Sequence, residues 1–118
     1  MVGFTKLEEA VLQDLCLRFP AERATLTAQL AMARVSCREN TGVGFYTSFN
    51  VERTQVAPLS GERMRHGAWV KVSGLEHPMG FILWLEDGYA HCLEGATVDD
   101  STVGIDLAAL VFEILPSN

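Results

Sequence analysis

An Asp-Gly pair, Asp87-Gly88, separates two runs of β-forming residues in the stretch GFILWLEDGYAHCLEG, residues 80–95. Asp-Gly between such runs is among the strongest short-range indications of a β-hairpin with a two-residue type I′ turn, because both turn positions need a positive φ. The turn sets the register of the whole hairpin. It predicts four cross-strand pairs, which are Glu86 with Tyr89, Leu85 with Ala90, Trp84 with His91, and Leu83 with Cys92.

This register gives the hairpin two faces of different character, because successive side chains of a strand alternate in direction. One face is uniformly apolar, and we expect it to lie against the core: Phe81, Leu83, Leu85, Ala90 and Cys92. The other face mixes aromatic, charged and aliphatic groups: Ile82, Trp84, Glu86, Tyr89, His91 and Leu93. The sequence therefore predicts a sheet with an amphipathic second face.

The N-terminal third of the chain has helical patterning. Residues 5–18 carry the apolar stripe Leu7, Val11 and Leu15, and Thr5 with Glu8 forms a capping-box pattern at the start. Proline is favoured in the first turn of a helix, so a second, Ala-rich helix is expected from Pro20 to about residue 34.

The remainder of the chain alternates strand-like runs with turns. We expect strands in VSCREN, GFYTSFNVE, AWVKVSG, the two arms of the hairpin and LAALVFEIL, with a mobile basic loop at residues 53–67. The fold class that follows is α+β: two N-terminal helices packed on one face of an antiparallel sheet of about five to six strands. Residues 1–118 are expected to form a single domain.

Charge is distributed unevenly along the chain. Residues 1–71 hold all nine Lys and Arg residues with seven acids, whereas residues 72–118 hold eight acids and no Lys or Arg. The acidic portion would repel a phosphate backbone, so we expect no nucleic-acid partner, and it would attract a basic protein surface. Acids scattered only for solubility are the alternative explanation. The N-terminus does not resemble a signal peptide and no long apolar run is present, so we expect a soluble, cytoplasmic protein without a membrane partner.

The sequence contains no recognisable catalytic or metal-binding motif. The three cysteines and three histidines lack the spacings of disulfide-rich or zinc-binding proteins. The TGVGF run lacks the Lys-Ser/Thr of a phosphate-binding loop. We therefore expect neither a cofactor nor a metal, and no enzymatic activity.

The candidate functional residues are those of a partner-binding surface. Trp84 and Tyr89 are the expected anchors, and Trp69 is a further recognition residue because it lies on the same predicted sheet face. The full candidate set is Trp69, Trp84, Glu86, Asp87, Tyr89, His91, Glu94, Asp99 and Asp100. We expect its acids to form one acidic contact.

The run GAWVKVSGLEHPMGFILWLEDGYAHCLEGATV, followed by IDLAALVFEI, resembles a set of small bacterial proteins that share GxxVKVxGLxHxxGFxLWxxDGxxxxLEG and a C-terminal apolar strand. Some of these proteins look like immunity proteins of bacterial toxin systems, including contact-dependent growth inhibition. The resemblance implies a compact fold that binds and neutralises a cognate toxin domain, and it supplies no active-site residues. Ala96 stands just after Leu93-Glu94-Gly95, where an aromatic residue is expected.

Three functions are compatible with these features. The leading hypothesis is an immunity protein that binds a basic toxin, for example a nuclease, through an acidic and aromatic surface. The alternatives are a homodimeric structural or scaffold protein that buries the second sheet face against a copy, and a small-molecule-binding domain that uses the open face.

Overall fold

The structure, a computed structural model, describes residues 1–116. Its elements in chain order are helices α1 (Lys6–Arg18) and α2 (Arg23–Ala31), then strands β1 (Arg34–Asn40), β2 (Gly44–Asn50), β3 (Met64–Val72), β4 (Met79–Glu86), β5 (Tyr89–Ala96) and β6 (Phe112–Ile114). A single turn of 3₁₀ helix, Arg53–Gln55, lies between β2 and β3.

The six strands form one open antiparallel sheet in the order β1-β2-β5-β4-β3-β6. Both helices pack on the same face of this sheet, α1 against β3 and β6, and α2 against β5. The expected α+β architecture is therefore confirmed. At the outer edge of β1, Val2 forms a parallel bridge to Arg34, with the Val35 N–H donating to the Val2 carbonyl at 2.9 Å.

The Asp-Gly hairpin forms as expected, but its register changes beyond the second pair. Leu85 pairs with Ala90 and Glu86 with Tyr89, whereas Trp84 pairs with Cys92 and Leu83 with Leu93. An extra residue in β5, a β-bulge, accounts for this shift. The predicted pairs of Trp84 with His91 and of Leu83 with Cys92 are wrong for this reason.

The bulge reverses the faces assigned to the last part of β5. Leu93 is fully buried in the core, although strict alternation places it on the open face. Cys92 is buried too, but it pairs with Trp84 and Ser48 and so lies on the opposite face from the helices. The apolar core face thus consists of Phe81, Leu83, Leu85, Ala90 and Leu93 from the hairpin.

The capping box of α1 is confirmed, and its glutamate has a second role. Glu8 accepts the Thr5 N–H at 2.9 Å, and the Thr5 hydroxyl accepts the Glu8 N–H at 3.1 Å. The same carboxylate, which is almost fully buried, also accepts two hydrogen bonds from Arg38 of β1 and one from the hydroxyl of Thr47 of β2. Glu8 therefore joins the helix layer to two strands through one carboxylate.

Helix α2 is shorter than expected, because it begins at Arg23 rather than Pro20 and ends at Ala31 rather than near residue 34. Pro20 lies in the turn before it, where the Glu22 N–H donates to the Phe19 carbonyl at 2.9 Å. Glu22 occupies the N-cap position but makes no capping hydrogen bond. Its carboxylate instead accepts two bonds of 2.8 Å from Arg65.

Strand β3 begins at Met64, inside the segment expected to be a mobile loop. Arg65 faces the helix layer and donates to the carbonyls of Ser60, Glu62 and Met64 as well as to Glu22. Because these acceptors satisfy its hydrogen-bond donors, the guanidinium of Arg65 can be buried beneath the helices. The last strand is also shorter than the expected LAALVFEIL, because only Phe112–Ile114 pair with β3.

The segment before β3 is held against the hairpin turn. The buried amide of Gln29 in α2 donates to the carbonyls of Ala57 at 2.8 Å and Gly88 at 3.0 Å, and accepts the Ala90 N–H at 2.8 Å. The Leu59 N–H also donates to the Gly88 carbonyl at 2.7 Å. One glutamine therefore ties α2, this segment and the turn together.

Candidate functional site

The sheet face opposite the helices carries the candidate site, and we call it the open face. Its central cross-strand row runs over five strands in the order Glu39, Tyr46, Glu94, Ile82 and His66. Directly paired residues of neighbouring strands point to the same face. This row contains two carboxylates and neither lysine nor arginine.

Glu94 is the central charged group of the open face. The indole N–H of Trp84 donates to Glu94 Oε1 at 2.9 Å, which orients the carboxylate along the sheet. The negative charge of Glu94 is the main reason why the pKa of the Tyr46 phenol lies above its usual value. Within residues 1–116, Glu94 has no ion pair with a lysine or arginine.

A hollow of about 250 Å³ lies beside Glu94 on the open face. The hollow exists because Gly80 and Ala96, which pair with each other at its floor, carry almost no side chain. Trp69 forms one wall and stays 53% exposed, and its ring covers Gly80 so closely that a Cβ there would lie 3.1 Å from the ring. Ile82, Glu94, Val98 and His66 contribute to the remaining walls.

The structure separates the nine predicted partner-binding residues into three groups. Trp69, Trp84 and Glu94 lie near the centre of the open face. Glu86, Asp87, Tyr89 and His91 lie at the hairpin turn, and Asp99 and Asp100 follow the other end of β5. With about 3.3 Å per strand residue, the turn and the Asp99-Asp100 pair are on the order of 20 Å apart. The acids of the expected contact are therefore spread along the sheet rather than clustered at one point.

The acids at the hairpin turn have a basic neighbour. Arg53 donates to Glu86 and to Asp87, each at 3.2 Å, and its guanidinium lies 4.8 Å from the centre of the Tyr89 ring. These pairs are well exposed, so each is weak, but they offset part of the negative charge of the turn. His91 lies half-buried beside this group, next to a polar cavity of about 200 Å³.

Asp100 holds a loop in place. Its carboxylate accepts the backbone N–H groups of His77 at 2.9 Å and of Glu76 at 3.4 Å, and these bonds lower its pKa. Potential ligand atoms of the three side chains lie within 4.8 Å of one another. The hydrogen bonds to the backbone account for the position of Asp100 without a bound ion. Asp99, next to it, is exposed and adopts a φ of 57°.

Cys92 shows the environment of a buried thiol. Burial is the main cause that raises its pKa, and the neighbouring Ser48, which is paired with Cys92 across the strands, offsets part of this rise. Cys37 lies on the far side of Ser48 in the same row. Two strand spacings, about 9.6 Å, separate such residues, which is too far for a disulfide.

Sequence reasoning missed the hollow and did not identify His66 as one of the residues that line it. The sequence pattern places His66 in a loop, although it follows Arg65 on β3 and therefore points to the open face. The hollow depends on Gly80 and Ala96 being opposite each other, whereas counting back from the Asp-Gly turn without a bulge pairs Gly80 with Gly95. The sequence did offer one signal for the hollow, because small residues stand at similar distances from the turn on both strands, Gly80 on one and Gly95-Ala96 on the other.

No protein-family model matches this chain, and neither a curated protein nor a solved structure gives a significant match. Among residues 1–116, no helix is long and apolar enough to cross a membrane.

Proposed function

We propose that this chain is an immunity protein that binds a basic toxin domain through the open face and so neutralises the toxin. The proposal assigns a binding role and no catalytic step. The observation that carries it is the open face itself, where Trp69 is 53% and Tyr46 38% exposed around an oriented carboxylate. Exposed tryptophan and tyrosine side chains are the residues that most often dominate the energy of protein interfaces.

The charge of the chain supports a basic partner. Six acids of the second half have no ion pair with lysine or arginine among residues 1–116, and they are Glu76, Glu94, Asp99, Asp100, Asp106 and Glu113. Such charges steer a basic partner towards the protein and raise the association rate at low salt. A toxin that acts on nucleic acid needs a basic cleft, so an acidic inhibitor is complementary to it. The resemblance to immunity proteins points to the same class of partner.

The open face is less suited to a second copy of this chain. Glu94 lies near the middle of the face, so a twofold contact would bring two such carboxylates towards each other. Like charges in a desolvated contact oppose association. A basic partner gains from the same charge, and this difference favours the immunity role over the homodimer.

The first experiment compares capture of a partner by three immobilised proteins: the wild type, Trp69→Ala and Leu17→Ser. Leu17 is an exposed apolar residue of α1, so Leu17→Ser is the control for general changes of surface character. We expect a basic protein to be retained by the wild type and the control and to be released by high salt. Truncation of an interface anchor costs about 2 kcal/mol or more, which is roughly a 30-fold loss of affinity.

The captured protein is then expressed in a bacterial host, alone and with this chain. The proposal expects growth arrest in the first case and restored growth in the second. A captured protein that is harmless on its own would refute the immunity role. Equal capture by Trp69→Ala and the wild type would instead show that the contact lies elsewhere on the protein.

A further inference from the structure

The hollow on the open face combines three features. It has a carboxylate on one wall, an exposed tryptophan ring on another, and apolar groups between them. Trp84 holds the carboxylate of Glu94 in position through its indole N–H. The carboxylate therefore has a fixed direction before any partner arrives, which reduces the entropic cost of binding.

We propose that this hollow receives one cationic side chain, an arginine or a lysine, of the partner protein, with its charged group on Glu94 and its stem against Trp69. This inference rests on the proposed function, because it names the chemical group through which that partner is recognised.

The charges around the hollow favour a cation. Glu39 and Glu94 lie in the same cross-strand row, and His66 is the only ionisable nitrogen in that row. Lys71 is the lysine of β3 and lies outside this row, opposite Glu113 of β6. A cationic group in the hollow would therefore meet a carboxylate that has no ion pair in the described chain.

The walls of the hollow match the stem of a long basic side chain. Arginine and lysine bury their methylene groups on apolar surface while their charged ends stay polar. Ile82, Val98 and Ala96 offer such surface next to Glu94. The face of Trp69 attracts a cation through its ring electrons, and arginine also stacks on it.

The volume of the hollow distinguishes this occupant from a free ligand. At about 250 Å³ it falls below the range of about 300–1,000 Å³ that is typical of small-molecule sites. It is nevertheless several times larger than the roughly 30 Å³ occupied by a water molecule. One long side chain delivered by a larger partner fits these limits.

The test titrates the purified protein with Nα-acetyl-arginine-methylamide while NMR follows the indole N–H signals of Trp69 and Trp84. The matched control probe is Nα-acetyl-citrulline-methylamide, which has nearly the same shape but no charge. We expect saturable shifts with the arginine probe in the millimolar range, and at least tenfold weaker binding of the citrulline probe. Equal binding of both probes, or no saturation at tens of millimolar, would overturn the inference.

Three variants locate the site. Glu94→Gln removes the charge, Ala96→Leu fills the hollow, and Glu113→Gln removes a charge on the same face outside it. We expect the first two to weaken binding of the arginine probe at least tenfold and the third to leave it unchanged. An unchanged affinity in Glu94→Gln and Ala96→Leu would place the probe elsewhere and overturn the inference.

The same variants separate this inference from the proposed function. If Glu94→Gln and Ala96→Leu retain the captured toxin and still protect the host, the immunity role stands and the hollow is not its recognition site. If the arginine probe binds the hollow but the captured protein is harmless, the immunity role fails and the cation site stands.

Discussion

The ion pair between Glu8 and Arg38 gives the sharpest test of how the helix layer is fastened to the sheet. The side chain of Glu8 is 1% exposed and that of Arg38 is 25% exposed. Replacement of Arg38 by methionine would leave the carboxylate buried with only the Thr5 N–H and the Thr47 hydroxyl as partners. Removal of one partner from a buried pair costs about 3–5 kcal/mol. Because Arg38 keeps some contact with water, we expect the lower end, about 3 kcal/mol.

The assay is urea unfolding followed by tryptophan fluorescence. With a slope of about 1.5 kcal/mol/M, a loss of about 3 kcal/mol lowers the urea midpoint by about 2 M. The control is Arg18→Met, which breaks the more exposed pair of Arg18 with Asp14 on the same helix. Such i,i+4 pairs contribute about 0.3–0.5 kcal/mol, so the control should scarcely move the midpoint.

The double variant Glu8→Gln with Arg38→Met tests the cause of the loss. Glutamine keeps an oxygen that can accept the Thr5 N–H but carries no charge to be buried. We therefore expect the double variant to be more stable than Arg38→Met alone. The reasoning is refuted if Arg38→Met costs no more than Arg18→Met, or if the losses of the two single substitutions simply add.

Three further predictions concern other fixed points of the fold. Arg65 lowers the pKa of Glu22, so this carboxyl stabilises the folded state above its ordinary pKa of about 4.3, and that contribution is lost as the pH falls further. In urea unfolding between about pH 6 and pH 3, the free energy of unfolding should therefore fall less in Glu22→Gln than in the wild type. Gly88→Ala should lower the free energy of unfolding by at least about 1 kcal/mol more than Gly74→Ala. Both glycines have a positive φ, but only a Cβ at Gly88 would collide with backbone, at the carbonyl oxygen of Leu59. Equal losses of stability in thermal unfolding would contradict this. Gln29→Leu should lower the free energy of unfolding by about 2–4 kcal/mol, because it leaves the buried backbone partners of the amide unpaired. Hydrogen exchange should show faster opening of the hairpin turn. Unchanged exchange would refute the role of this side chain.

Local patterns were sufficient for the elements whose ends are fixed by neighbouring residues. The Thr5–Glu8 capping box and the Asp-Gly turn act within a few residues, and both form as expected. The number of strands and the packing of both helices on one face also follow from such patterns, because each amphipathic element must bury its apolar side.

The features that sequence reasoning missed depend on partners distant in the chain. The bulge in β5 moves Leu93 into the core, and strict alternation cannot include an extra residue. A bulge could have been suspected, since alternation alone left a large leucine on the open face. Arg65 looked like a loop residue because the position of Glu22, more than 40 positions earlier, is not encoded locally. The hollow likewise arises from the cross-strand pairing of Gly80 and Ala96.

The hollow on the open face is formed by missing side chains rather than by a gap in the core. A substitution at Ala96, which is exposed, changes the depth of the hollow without touching the buried residues that hold the helices on the sheet. The side chains that line the hollow and those that form the core therefore come from opposite faces of the same sheet. Under the proposed immunity function, substitutions in the hollow would change binding specificity at little cost in stability, which suits a protein whose partner changes over evolutionary time.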